Sequence, residues 1–327
     1  MKGMAMNLRA RLLAAALLIS LSFPAVAWTP DGPVRIVVGS AAGGPTDSLA
    51  RLFAETARSR LPQPVVVENL TGAGGNIAAS AVMRARPDGR TFLLGYAALV
   101  INTLRGDPPG AVDPVQNLMP VARLATSPAV VMTRASSGIM DFATLAARVR
   151  ANDASSSWAP PLPGTAMHVV GEQFLARLDG QAEMIPYRGS SALLPDFLAG
   201  RLTFVCDNPT VHLSYLQDGS TRALAVAAAQ RSALLPEVPT LTELGLPGID
   251  FTSWLGVLAP TGTDSTAIAA IADIAKTSVS GPEAASRLAV IGLEPAPTGS
   301  AEFRDLIEGD LRRWKPAVTA VQGQMQQ

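Results

Sequence analysis

From Pro33 onward, short apolar runs alternate with amphipathic stretches at the spacing of an α/β protein. Val34–Val38 is a brief, mostly apolar run between Pro33 and Gly39, as a buried strand would be. Leu49, Leu52, Phe53 and Thr56 then recur on one face, predicting a helix from Pro45 to about Arg60. A strand at Val65–Glu68, a glycine-rich turn at Thr71–Asn76, a helix ending before Pro87-Asp88-Gly89 and a strand at Thr91–Gly95 repeat the unit. That alternation predicts right-handed βαβ units around a parallel sheet.

The rhythm breaks at Asp107-Pro108-Pro109-Gly110 and Asp113-Pro114, the expected crossing into a second domain. Beyond it the pattern predicts strands at Val121–Leu124 and Ala129–Met132 and a helix at Asp141–Arg150. Further on it predicts helices at Ala166–Leu178, Ser191–Ala199 and Thr210–Gln217, with strands at Met184–Pro186 and Thr203–Cys206. Leu224–Val226 reads as a strand returning to the first domain, and Ser265–Val279, Glu283–Ile291 and Ser300 to about Val321 as closing helices. In the last of these, Phe303, Leu306, Ile307 and Trp314 form a stripe read as core packing.

Met1–Ala27 carries Lys2, Arg9 and Arg11, then the apolar Leu12–Ile19, then Ala25-Val26-Ala27, in the order of a cleaved secretion leader. The apolar run is shorter than the roughly 20 residues a bilayer span needs. The expected mature protein is therefore extracytoplasmic, most simply periplasmic. About 300 residues remain, enough for two domains of roughly 150. Removing the leader leaves 23 basic against 26 acidic residues, a balance with no electrostatic handle for nucleic acid. Aromatic residues are 5% of the chain, which also argues against a base-stacking surface. Cys206 has no intrachain disulfide partner and falls in an apolar run, so it reads as a buried structural thiol. Two histidines are too few for a zinc cage, and neither a metal site nor a cofactor is expected.

Ser40 to Asp47 joins the first strand to the first helix. Gly43 and Gly44 permit a sharp turn, Pro45 suits the first helical position, and Asp47 can cap free amides. Amides at such a terminus can hold an anion without a cationic side chain. Thr71-Gly72-Ala73-Gly74-Gly75-Asn76-Ile77 fails as a dinucleotide fingerprint because Ile77 stands where glycine is required. A hydrolase remains an alternative, since triad partners can be far apart, but the chain has no Gly-x-Ser-x-Gly elbow.

With these residues laid out, the chain resembles the substrate-binding receptors of tripartite tricarboxylate transporters, also called Bug-type receptors. The likeness runs through Val34–Asp47, Gln63–Asn69 into Gly72–Asn76, Pro87-Asp88-Gly89, Pro186-Tyr187-Arg188-Gly189, Asp207-Asn208, Arg222–Val226, Leu235–Thr240, Gly245–Gly248, Trp254 and Ala259–Thr263. It implies a two-domain periplasmic-binding-protein-like (Venus flytrap) α/β fold, each domain a mainly parallel sheet flanked by helices. The implied domains are residues 28–105 with 225–327, and 106–224, hinged near Leu104–Asp107 and Ala223–Val226. It implies a monomeric, non-enzymatic receptor that binds a small organic carboxylate between the domains and delivers it to a membrane permease. A sensor without a transport role is the alternative. The implied ligand-binding residues are Ala42, Gly43, Gly44, Thr46 and Asp47 from the first domain. From the second they are Gly164, Thr165, His168, Tyr187, Arg188, Gly189, Ser190 and Asp207. Two segments depart from the family pattern: Tyr96-Ala97-Ala98-Leu99 replaces Ser/Thr residues, and Trp158–His168 replaces a glycine-rich approach. Both changes point to a ligand with one carboxylate, expected on the Gly43-Gly44 loop, and a less polar remainder.

Overall fold

The computed structural model describes residues 28–106 and 108–325; the expected secretion leader lies outside the described residues. Three parallel strands, β1 (Val34–Val38), β2 (Val65–Asn69) and β3 (Thr91–Tyr96), alternate with α1 (Pro45–Arg60) and α2 (Asn76–Met83). The βαβ expectation holds for this segment. After β3 comes α3 (Ala98–Arg105), and then β4 (Leu118–Arg134), a 17-residue strand where the hydrophobic pattern predicts two.

Pro128 is the reason for that difference. It suggests a break, yet the strand runs through it because this is where β4 changes partners. Residues 118–128 pair antiparallel with β9 (Thr252–Pro260), and β10 (Glu294–Thr298) lies on their other edge. Residues 129–134 pair instead with β8 (Thr221–Ala227), and 130–132 also with β7 (Phe204–Asp207). Two sheets therefore share one strand. The first runs β2-β1-β3-β9-β4-β10, and the second runs β8-β4-β7-β5-β6, where β5 is Ser157–Ala159 and β6 Glu183–Met184. Between the strands named here, parallel pairing is confined to β1, β2 and β3 and to β5, β6 and β7; the shared strand and β9 are antiparallel to their neighbours. The sheets are thus mixed rather than mainly parallel, because a chain that returns through one continuous strand must reverse direction at the centre.

Helices cover both sheets. Those on the second are α4 (Phe142–Arg150), α5 (Ala166–Arg177), α6 (Ser190–Leu198) and the short α7 (Leu213–Gln217). Those closing the first are α8 (Ser265–Ser278) and α9 (Pro282–Val290), and α10 (Ser300–Met325) packs against β4 and both α3 and α5. Phe303, Ile307 and Trp314 are buried, as a core stripe requires, and Leu306 is half-buried against the same cluster. Cys206 is fully buried opposite Val131, and burial pushes its thiol well above the ordinary value, as expected of a buried structural thiol. No helix among the described residues is long and apolar enough to cross a membrane.

Candidate functional site

In open sheets of parallel strands, ligands gather beyond the carboxyl ends of the strands. Three loops converge there in the first sheet: after β1, after β2 and after β3. They touch closely. A Cβ on Gly39 would lie 2.7 Å from the Gly75 Cα, and one on Gly75 would lie 3.1 Å from the Tyr96 hydroxyl. Gly74 and Gly75 have φ of 59° and 89°, so this turn needs glycine on backbone grounds as well as for space. Asn102 on α3 pins the turn by donating from Nδ2 to the Ala73 and Gly74 carbonyls, each at 3.2 Å.

A cavity of about 430 Å³ opens beside these loops. The first sheet supplies Ala73, Gly74, Tyr96, Ala98, Asn102 and Arg105 to its wall. Facing them, the second sheet supplies Pro161, Leu162, Gly164, Thr165, Met167 and Asn208. Phe251 and Ser253, where the chain re-enters β9, close the base. Arg105 Nη1 donates across the gap to the Gly164 carbonyl at 3.3 Å.

Of the residues expected to bind ligand, Gly164 and Thr165 line this cavity. His168 lies just behind them, buried, with Nδ1 accepting from the Gly164 amide at 2.9 Å. That bond leaves the proton on Nε2, which lies 3.7 Å from Glu172 Oε1. His168 thus positions the loop whose carbonyl meets Arg105. Asp207 is buried and engaged with the Asn208 amide at 2.7 Å and His212 Nε2 at 3.1 Å. It holds Asn208, whose Nδ2 donates to the Pro128 carbonyl at the point where β4 changes sheets. Tyr187 donates its hydroxyl to Asp196 at 2.7 Å, and burial together with that bond pushes its pKa up to about 12. Arg188 is exposed. The Gly189 amide donates to the Pro161 carbonyl at 2.6 Å, so Gly189 and Ser190 back the cavity wall without lining it.

The loop at Ala42, Gly43, Gly44, Thr46 and Asp47 stands apart from the lining. The Gly43 amide donates inward to Asp47 Oδ2 at 2.9 Å, which removes it as an anion donor. Asp47 is buried and also accepts from Arg51 Nε at 2.8 Å and Asn69 Nδ2 at 2.9 Å. Burial alone would raise its pKa, but these bonds outweigh it and hold the carboxyl below its ordinary value. Asp47 therefore ties the loop to β2. Only the Thr46 and Asp47 amides, at the second and third helical positions, are left without a helical acceptor by the geometry of a helix start.

Tyr96, Asn102, Arg105, Leu162, Met167 and Asn208 carry the cavity wall beyond the residues expected to bind. The sequence signal for Tyr96 and Leu162 is present, since both fall in the two segments that depart from the family pattern. For Arg105 and Asn102 the only signal is their place on the helix after the third strand.

A second cavity, about 660 Å³, lies among β4, β9, β10, α10 and the segment after β8, and several of its charged side chains are engaged within the chain. Arg313 pairs with Asp250 at 3.0 Å and Asp310 at 2.6 Å; Arg231 pairs with Glu243; Ser232 bonds to Glu294. Burial pushes the Asp310 carboxyl up from 3.8 to about 6, Arg313 opposing the rise and Asp250 adding to it. Folded protein then holds this proton more tightly than unfolded chain. The stabilising contribution is full below pH 3.8 and is lost as pH rises through about 6. Asp310→Asn is expected to flatten that fall and to recover up to about 3 kcal/mol at pH 7, less whatever the Arg313 contact contributes. Urea unfolding of both proteins from pH 4 to 7 tests it; parallel pH profiles would refute it.

A family model described as the tripartite tricarboxylate transporter family receptor matches residues 49–322. The chain belongs to that family. BugT of Bordetella pertussis is 30% identical over 290 residues, covering 88% of this chain and 89% of its own. The solved periplasmic binding protein BugD is 29% identical with a TM-score of 0.74, covering 89% of this chain and 98% of its own. An R. palustris protein solved with adipate is 28% identical with a TM-score of 0.77, over 89% of this chain and 98% of its own. The family model describes a transporter receptor, and the match to the periplasmic binding protein BugD over 89% of this chain bears out the α/β binding-protein fold that the resemblance implied.

Proposed function

We propose that this receptor binds a small organic carboxylate in the 430 Å³ cavity and carries it to a membrane permease, without catalysing a reaction. The observation that carries the reading is that both sheets contribute facing walls, with Arg105 and Gly164 in contact across them. A ligand held by both walls favours their closed arrangement, and the closed face is what a permease would read. The relative solved with adipate supports the carboxylate class. The leader-like Met1–Ala27 supports periplasmic export, and a monomer suffices because both walls come from one chain.

The hinge proposal follows the sheets. Because residues 118–128 pair with the first sheet and 129–134 with the second, the first crossing is placed at Pro128–Ala129. That is later than the expected Leu104–Asp107. The return runs between Ala227 and Thr252, the end of β8 and the start of β9. A thermal-shift panel of hexanoate, benzoate, adipate and citrate tests the reading. At least one carboxylate is expected to raise the melting temperature saturably, with no product formed. Turnover of a bound carboxylate, or no response to any of the four, would contradict it.

A further inference from the structure

Thr252 and Trp254 line the 660 Å³ cavity, whereas the alternate positions Phe251 and Ser253 line the 430 Å³ one. Successive side chains of a strand point to opposite faces, so the two cavities lie on either side of the chain where it enters β9. They share no lining residue.

Most formal charges lining the larger cavity meet an opposite charge: Asp250 and Asp310 share Arg313, and Arg231 meets Glu243. Arg123 and Glu294 do not. Arg123 on β4 is half-buried; its Nε donates to the Ala296 carbonyl at 2.8 Å, and among the described residues no carboxylate forms an ion pair with it. Burial holds its pKa below the ordinary value, with Glu302 and Asp310 acting against that fall. Glu294 on β10 is also half-buried; it accepts from the Ser232 hydroxyl, and no cation among the described residues pairs with it. Glu294 stands opposite Thr126 and Arg123 opposite Thr298, so the two are three residues apart along β4, roughly 10 Å at the backbone. Fully buried Trp254 adds an indole Nε1 without a hydrogen-bond partner, favouring the charged form of Asp310 without bonding it.

We infer that the larger cavity is a second binding site, for a small zwitterion whose carboxylate is received by Arg123 and whose ammonium is received by Glu294. A charge withdrawn from water without a partner is costly, and each of these two lacks the opposite charge that would offset the cost. A ligand carrying both signs supplies the two partners at once. An anion alone leaves Glu294 unpaired and is repelled by it, and a cation alone meets the same difficulty at Arg123. The Arg123 fork engages the chain through Nε, so its terminal nitrogens are the donors for a carboxylate. The backbone spacing suits an ω-amino acid, with a charge at each end of a short chain, better than an α-amino acid, with both on one carbon. This site lies outside the carboxylate reading above and does not depend on it.

6-Aminohexanoate, hexanoate and hexylamine share a six-carbon chain and differ in which charges they carry. Titrated calorimetrically into the full mature chain carrying Ala98→Trp, in which the smaller cavity is filled, they report on the larger one. 6-Aminohexanoate is expected to bind at least about 10-fold more tightly than either analogue. Glu294→Gln, which keeps an acceptor for Ser232, is expected to erase the preference over hexanoate, and Arg123→Met the preference over hexylamine. Loss of packing would weaken all three ligands alike and leave these ratios unchanged, so the ratios separate charge recognition from structure. Either analogue binding as tightly as 6-aminohexanoate, either preference surviving its substitution, or no binding of 6-aminohexanoate overturns the inference. The carboxylate reading is tested separately, by the thermal-shift panel on the wild type, so the failure of one is distinguishable from the failure of the other.

Discussion

Gly171→Ala is expected to destabilise the protein by about 3 kcal/mol or more, although alanine is the better helix former by about 1 kcal/mol. The glycine sits mid-helix in α5, and a Cβ there would lie 2.0 Å from Cζ3 and 2.2 Å from Cη2 of Trp158. Trp158 cannot step aside. It is fully buried and stacked on Phe204 with ring centroids 5.7 Å apart and planes 6° apart. His168 also packs against it, tilted by 47° at 5.9 Å between centroids. Helix and strand must therefore separate, and the cost of overpacking exceeds the propensity gain. The effect also reaches the site, because β5 feeds the loop to Gly164 and α5 carries His168, which holds that loop. Denaturant unfolding of the variant, with Gly171→Ala/Trp158→Leu as a relieving partner, provides the check. A neutral or stabilising Gly171→Ala would show that α5 and β5 do not pack as described.

Ala98→Trp is expected to weaken carboxylate binding by at least about 100-fold, close to 3 kcal/mol, while leaving the folded state intact. Ala98 is half-buried at the start of α3, and the space it borders is the 430 Å³ cavity rather than the core. An indole there occupies the volume a ligand needs. Calorimetric titration measures the affinity, and thermal melting checks the fold. Unchanged affinity in a well-folded variant would mean that ligand binds elsewhere on the molecule.

The βαβ start was readable because Val34–Val38, the Leu49-to-Thr56 face and Thr91–Gly95 satisfy strand and helix periods locally. The shared strand was not, since Pro128 looks like a break unless one knows that β4 exchanges partners there. The Tyr96 and Leu162 segments announced a less polar site through their departure from the family pattern, and both line the cavity. The Gly43-Gly44 turn misled on one point: loop chemistry suits an anion, yet Asp47 draws the Gly43 amide inward. Sequence shows which groups can donate but not which acceptor wins, and a buried carboxylate 2.9 Å away wins here. Arg105 lies 59 residues from Gly164, so only the tertiary fold reveals that they meet.

A crystal structure of the mature protein grown with saturating hexanoate locates the bound anion directly. The anion is expected in the 430 Å³ cavity between the two sheets, in contact with residues of both walls such as Tyr96 and Met167. Hexanoate seated instead beside Arg231 and Arg313, or on the outer face of the Gly43 turn, would contradict it.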